Sequence, residues 1–272
     1  PFHLNKVSYW ARTTMVPLMV LAALKPRARN PRGVGIRELF LQDPATLGTP
    51  KRAPHQSAGW FALFTGFDRV LRRIEPLSPR WLRARAMKKA IAFVEERLNG
   101  EDGLGAIFPP MVNTVMMYDA LGFPPEHPPR AVTRRGIDKL LVVGEDEAYC
   151  QPCVSPIWDT ALSCHALLEA GGPEALNSAG KCLDWLLPKQ ELVLKGDWAV
   201  KRPDVRPGGW AFQYANGHYP DLDDTAVVVM AMDRVRRNGP NGQYDEAIAR
   251  GREWIEGMQS RDGGFAAFDA DN

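Results

Sequence analysis

Three aspartates fall within four positions of the stretch YPDLDDTAVV, residues 219–228: Asp221, Asp223 and Asp224 surround Leu222. Carboxyls this close cannot all ionise cheaply, so one pKa is pushed up and the cluster titrates as a coupled unit. A carboxyl kept protonated beside ionised ones is a general acid. Local structure explains part of the pattern without chemistry. Pro220-Asp221 suits a turn, an Asp or Thr here can cap the helix that follows, and first-turn acids are favoured by the helix dipole. That accounts for one or two acids more easily than three. Asp-rich motifs also bind Mg²⁺ that holds a diphosphate, but no phosphate loop of either glycine-rich type is present. His218, next to the acids, reads as a solvated turn residue. Cys150-x-x-Cys153, with Cys164-His165 nearby, has zinc-like spacing. A second well-spaced pair is missing, so buried small residues are the plainer reading and no metal is assigned.

The neighbourhood of the acids is rich in aromatics: Trp198, Trp210, Phe212, Tyr214 and Tyr219 precede them, and Trp158, Phe265 and Phe268 lie in SPIWDT and GGFAAFD. Any one of these could simply fill a core. Around a buried proton donor, aromatic faces stabilise carbocations by cation–π attraction and keep water out.

These side chains need a frame, and helical periodicity dominates the chain. RWLRARAMKKAIAFVEERL, residues 80–98, puts Trp81, Ala84, Met87, Ile91, Val94 and Leu98 on one broad face. SPIWDTALSCHALLEAGG starts at Ser155-Pro156 and stops at Gly171-Gly172. DDTAVVVMAMDRVRR and YDEAIARGREWIEGMQ read as two more helices. Three segments share one grammar, an apolar helix end followed by a turn with Asp-Gly or Gly-Asp and a small or aromatic residue. Such units bury their faces only by stacking, which predicts an all-α solenoid or closed toroid of helix pairs. FPPEHPP, residues 123–129, marks a linker, and GEDEAYCQPCVSP, residues 144–156, marks the domain boundary.

The 272 residues are 45% apolar with a net charge of +2. Disorder is excluded, and the basic residues are scattered rather than gathered in the stripe that nucleic acid requires. Four cysteines are too few for a disulfide scaffold and favour a reducing compartment. The longest apolar run, residues 15–24, is too short to span a bilayer. Residues 59–73 differ: on a helix Trp60, Phe64, Phe67 and Leu71 share one face, with Phe61 beside Trp60 and Arg69, Arg72 and Arg73 at the C-terminal end. This is either a core-facing helix or one lying in a membrane interface. The chain starts at Pro1 and stops after a glycine-rich motif, so a piece of a longer protein is expected.

DLDDTA, the Q-x-x-D-G-G-aromatic turn at Gln259–Phe265, SPIWDT and GDWAVKRP…PGGWAFQ together resemble the squalene–hopene cyclases, the class II triterpene cyclases. GAIFPPMVNTVMMYDALG is similar to their bacterial hopanoid-making branch. The resemblance runs from SYWARTTMV near the start to GGFAAFDADN at the end. It implies two α-α barrel domains, one to residue 151 and the start of a second at residues 152–272. It implies that Asp223 protonates a terminal double bond of squalene, with Asp221 and Asp224 holding and polarising it, to give hopene and some hopanol. Trp158, Phe212 and Phe268 match cavity-lining positions, Trp10 another aromatic wall, and Phe108 to Pro110, including Pro109, a cavity loop. Phe108 replaces a glutamine found in some members, Phe268 a tyrosine, and Phe265 the usual tryptophan; the first repeat turn lacks its glutamine. A histidine partner of the acid would lie beyond residue 272, so the chain by itself is expected to be inactive. The family needs no metal or organic cofactor, and its members are monotopic, which favours the membrane reading of residues 59–73 at the cytoplasmic face of a bacterial membrane. A homodimer is left open. Two alternatives remain: a class II cyclase of a prenyl diphosphate, and a non-catalytic α-toroid binding subunit with zinc at the Cys/His cluster.

Overall fold

The computed structural model describes residues 4–46, 51–237 and 242–271. The chain divides into two compact units, one of residues 1–24 with 90–272 and a smaller one of residues 25–89. The expected boundary at residue 151 falls inside the larger unit.

The predicted helical architecture is what the chain adopts. In the larger unit, α1 (Tyr9–Leu24) packs on α4 (Phe108–Ala120), and α4 packs on α5 (Pro128–Lys139). α6 (Pro156–Ala170) pairs with α7 (Pro173–Leu186), α8 (Leu222–Arg237) lies against α6, and α9 (Asp245–Gly257) pairs with α8. Prolines start α4, α5, α6 and α7 because their fixed φ suits a first turn that needs no amide donor. Gly171 and Gly172 end α6 in the left-handed region, at φ 70° and 86°. The main core gathers Ile157, Ala161 and Cys164 of α6, Leu183 and Leu186 of α7, Val228 and Met232 of α8, and Ile248 of α9 around Trp210. The Trp210 indole donates to the Leu186 carbonyl at 2.8 Å, which satisfies its one polar group inside that core.

One feature escaped the helical reading. Leu141–Val143 and Ala148–Cys150 form an antiparallel hairpin, β1 and β2, with Val142 opposite Tyr149. Three-residue strands are too short to show alternation.

In the smaller unit α2 runs from Ala58 to Ile74, and α3 (Arg80–Glu96) begins there and continues past residue 90. No residue of α2 is buried. Of the face expected along α3, only Val94 is buried among the helix's residues, and Trp81 stands exposed. Periodicity shows which side chains share a face. It does not show whether a neighbour covers that face.

Candidate active site

The Trp210 backbone fixes the entry to α8. The Asp221 N–H donates to the Trp210 carbonyl at 3.0 Å, and the Trp210 N–H donates to Thr225 Oγ1 at 2.9 Å. Thr225 in turn donates its hydroxyl back to the Asp221 carbonyl. Gly208 and Gly209 make this approach possible. A Cβ on Gly208 would come within 2.4 Å of the Arg250 carbonyl, and one on Gly209 within 2.9 Å of the Trp254 ring. Asp221 Oδ1 accepts the Asp224 N–H at 2.7 Å, the N-cap bond that the sequence anticipates. The Leu222 N–H, another donor of the first turn, goes to the Ala267 carbonyl at 2.8 Å. That bond brings the 265–271 segment onto the mouth of α8.

A cavity of about 430 Å³ opens beside this turn. Asp221, Asp223 and Asp224 line it together with Trp10, Trp158, Phe212 and Phe268. Trp10 and Phe268 stack with their ring centres 5.8 Å apart. Thus all three predicted acids and four predicted aromatics meet at one place, from segments far apart in sequence. Phe108 and Pro109 do not join them. Phe108 packs against the Met111, Ile137 and Leu140 cluster, and Pro109 is exposed. Their neighbour Ile107 takes the wall position, held there by pairing with Cys153: the Phe108 N–H donates to the Pro152 carbonyl at 2.9 Å. Ile107, Cys153, Gln213 and Ala267 are lining residues that sequence reasoning missed, since nothing local marks them.

The three carboxyls sit in different environments. Asp221 is 3% exposed and Asp224 1%, whereas Asp223 is exposed and opens to the cavity. Burial, then the charge of Asp224, pushes Asp221 up to about 9. Burial also pushes Asp224 up, to about 6, while its bond with Asp221 pulls the other way. Burial and mutual repulsion therefore favour a proton kept within the pair, which titrates as a unit. Asp224 Oδ1 is buried without a hydrogen-bond partner among the described residues. The resemblance placed the protonated acid at Asp223; the desolvated carboxyls of this chain are its two neighbours.

A second buried polar cluster stands behind the acids. Arg97, just past α3, donates Nε to both oxygens of Asp197 at 3.1 Å, and the Tyr219 hydroxyl donates to Asp197 Oδ2 at 2.8 Å. His218 is half-buried, not solvated, and burial followed by the Arg97 charge holds its pKa below the usual imidazole value.

Cys150 and Cys153 do not converge with Cys164, which lies in the core with Cys182 packed against the same cluster. Cys164 donates to the Ala179 carbonyl in the core, Cys153 faces the cavity, and Cys150 is exposed. No cluster of three or more His, Cys, Asp or Glu fit to hold a metal occurs among the described residues.

On α2, Trp60, Phe64 and Phe67 are 62%, 55% and 51% exposed, and Leu71 is exposed beside them. Leu63, Val70 and Ile74 extend the same apolar stripe. Phe61, about 100° around the helix from Trp60, lies instead on the flank that carries Asp68 and Arg72, and it is half-buried. No helix among the described residues is long and apolar enough to cross a membrane.

Comparison with known proteins agrees with this arrangement along the whole chain. The squalene–hopene cyclase N-terminal domain model matches residues 1–146, and the C-terminal domain model matches residues 154–272. The chain is 73% identical over 272 residues to the squalene–hopene cyclase of Bradyrhizobium diazoefficiens, covering all of this chain and 41% of that protein. It is 54% identical to that of Zymomonas mobilis and 35% identical to that of Alicyclobacillus acidocaldarius, covering 42% of each. The chain thus spans about two-fifths of the length of these curated relatives. With both domain models matched in order and the acids gathered in an aromatic cavity, the chain belongs to the squalene–hopene cyclase family.

Proposed function

We propose that the full-length protein cyclises squalene to hopene, with some hopanol, starting by proton transfer from Asp223. The observation that carries this reading is the cavity where one exposed carboxyl faces Trp10, Trp158, Phe212 and Phe268. Asp223 gives its proton to a terminal carbon of the alkene, and the π pair becomes the new C–H bond. The positive charge passes along the chain as each double bond attacks the next, and aromatic faces attract it. Loss of a proton gives the alkene; capture of water gives the alcohol. Asp221 and Asp224, the buried carboxyls beside it with raised pKa values, are the groups we assign to hold and polarise Asp223. The described lining contains no lysine or arginine, which favours a hydrocarbon over a prenyl diphosphate. The proton comes from a side chain, so the reaction needs no metal or organic cofactor.

The organisation we assign is two α-α barrel domains, with the first ending near residue 151 and the second beginning at 152. The exposed stripe of α2, with Arg72 and Arg73 in the last turn, supports a helix lying in a membrane interface, and the resemblance supplies the side, the cytoplasmic face of a bacterial membrane. Squalene is insoluble in water, so an enzyme seated on the bilayer meets its substrate there. The test is incubation of the full-length protein with squalene in detergent, with products read by gas chromatography–mass spectrometry beside Asp223→Asn. Hopene from the wild type and none from the variant is expected. Absence of hopene, or a fully active variant, overturns the reading.

A further inference from the structure

Two polar threads run from the turn after α3 to the acid cavity. In the first, the Arg97 guanidinium grips Asp197 with Nε and Nη2, and its Nη1 donates to the Phe93 carbonyl and to Glu96. Every nitrogen of the fork is thereby engaged, and the Phe93 ring lies 3.8 Å beneath it. Asp197 then takes the Tyr219 hydroxyl at 2.8 Å, and its own N–H donates to the His218 carbonyl at 3.3 Å. Tyr219 is buried and stands two residues before Asp221. In the second thread Asn99 Nδ2 donates to Asn216 Oδ1 at 3.1 Å, and Asn216 Nδ2 donates to Gln213 Oε1 at 3.0 Å. Gln213 is on the cavity wall.

A buried ion pair contributes little net stability over an apolar filling. It does fix geometry, because a guanidinium fork accepts a carboxylate in one orientation. Here the fixed geometry is that of the 213–221 segment, which delivers Asp221 to the cap of α8. Arg97 and Asn99 lie in the stretch matched by the N-terminal domain model, and Asp197, Gln213, Asn216 and Tyr219 in that matched by the C-terminal one. We infer that Arg97, Asp197 and Tyr219, with Asn99 as an accessory, are positioning residues through which the N-terminal matched stretch sets the placement of the acid cluster in the C-terminal one. This inference rests on the proposed cyclase activity for its effect on turnover, and on geometry alone for its effect on the acids. The charged and titratable groups around the threads are Arg97, Glu96, Asp197, His218 and Tyr219, with Glu191 against Gly217 and Glu101, Asp102 and Lys139 beside the Gln213 end. Those around the acid end are Asp221, Asp223, Asp224 and Asp159.

The test compares full-length wild type with Tyr219→Phe, which removes one hydroxyl and keeps the ring, and with Arg97→Lys, which keeps the charge and loses the fork. Tyr214→Phe, at an exposed tyrosine outside both threads, is the control. Carbodiimide labelling across pH, read by mass spectrometry on the peptide containing Asp221, Asp223 and Asp224, reports the titration of the acids without any turnover. We expect the labelling midpoint to move in Tyr219→Phe and in Arg97→Lys but not in Tyr214→Phe. We expect kcat with squalene to fall about tenfold in Tyr219→Phe with KM nearly unchanged, the scale of a small misplacement at a reacting centre. An unmoved midpoint overturns the inference whatever turnover does, and a moved midpoint with unchanged kcat overturns its link to catalysis. A wild type that makes no cyclised product removes the cyclase reading alone, and the midpoint still decides the positioning role.

Discussion

Asp221 and Asp224 are carboxyls with almost no exposure, while Trp60, Phe64 and Phe67 are large apolar side chains standing more than half in solvent. Both regions run against the ordinary sorting of polar and apolar groups. They are tolerated for different reasons. The acids are held by backbone: Asp221 Oδ1 caps α8, and Thr225 and the Trp210 carbonyl fix the Asp221 main chain. Part of their remaining cost is met by the pair keeping a proton. No residue of α2 is buried, and the membrane-interface role proposed above for its rings is what would compensate their exposure. The lesson is that a polar group inside and an apolar group outside can both be held in reserve for chemistry or binding.

The largest effect should come from breaking the acid side of this contrast. Asp223→Asn in the full-length protein is expected to lower squalene cyclisation by at least about 10²–10⁴-fold, the usual range for a general acid. Unaltered folding by circular dichroism would show that chemistry alone was lost. The next concerns pH. Asp221 and Asp224 both have pKa values raised above 3.8, so the folded chain keeps protons that the unfolded chain releases. Stability from this source is complete below about pH 4, and is lost as pH rises through about 6 for Asp224 and about 9 for Asp221. Asp221→Asn keeps a capping side chain and removes the titration. Melting curves between pH 5 and 9 should therefore fall less steeply for the variant than for the wild type. Equal slopes would mean that Asp221 ionises freely.

Smaller effects sharpen the contrast. Thr225→Val preserves shape but leaves the buried Trp210 N–H without its partner, and should cost about 1–3 kcal/mol in denaturant unfolding. On the α2 side, Phe64→Ser with Phe67→Ser should move the full-length protein off vesicles in flotation assays, each ring contributing up to roughly 1.5–3 kcal/mol of burial in lipid. Because both rings are exposed, the same change should alter stability by no more than about 0.5 kcal/mol. Vesicle binding that survives, or a large drop in melting temperature, would mark α2 as a face that packs against protein.

Much of this was legible beforehand. The start of α6 at Ser155-Pro156 and its stop at Gly171-Gly172 are written in residues whose backbone preferences act locally. So is the cap at Asp221. The aromatics that gather at the acids were found by type and resemblance, and Trp10, Trp158, Phe212 and Phe268 do line one cavity. Phe108 and Pro109 show where that approach stopped: the neighbouring Ile107 took the wall, because pairing with Cys153 sets the turn of the chain there.

By itself the sequence determined α2, α3, α6, α8 and α9, the ends of α6, the cap of α8 and the grouping of three acids, because each depends on φ preference, capping or periodicity within a few residues. Only the tertiary structure decided which carboxyls are desolvated, since that depends on Ala267 reaching the Leu222 N–H and on Trp210 backing Asp221. It alone joined Arg97 to Asp197 across one hundred positions. Burial belongs to what surrounds a residue, and surroundings come from segments that no local pattern connects.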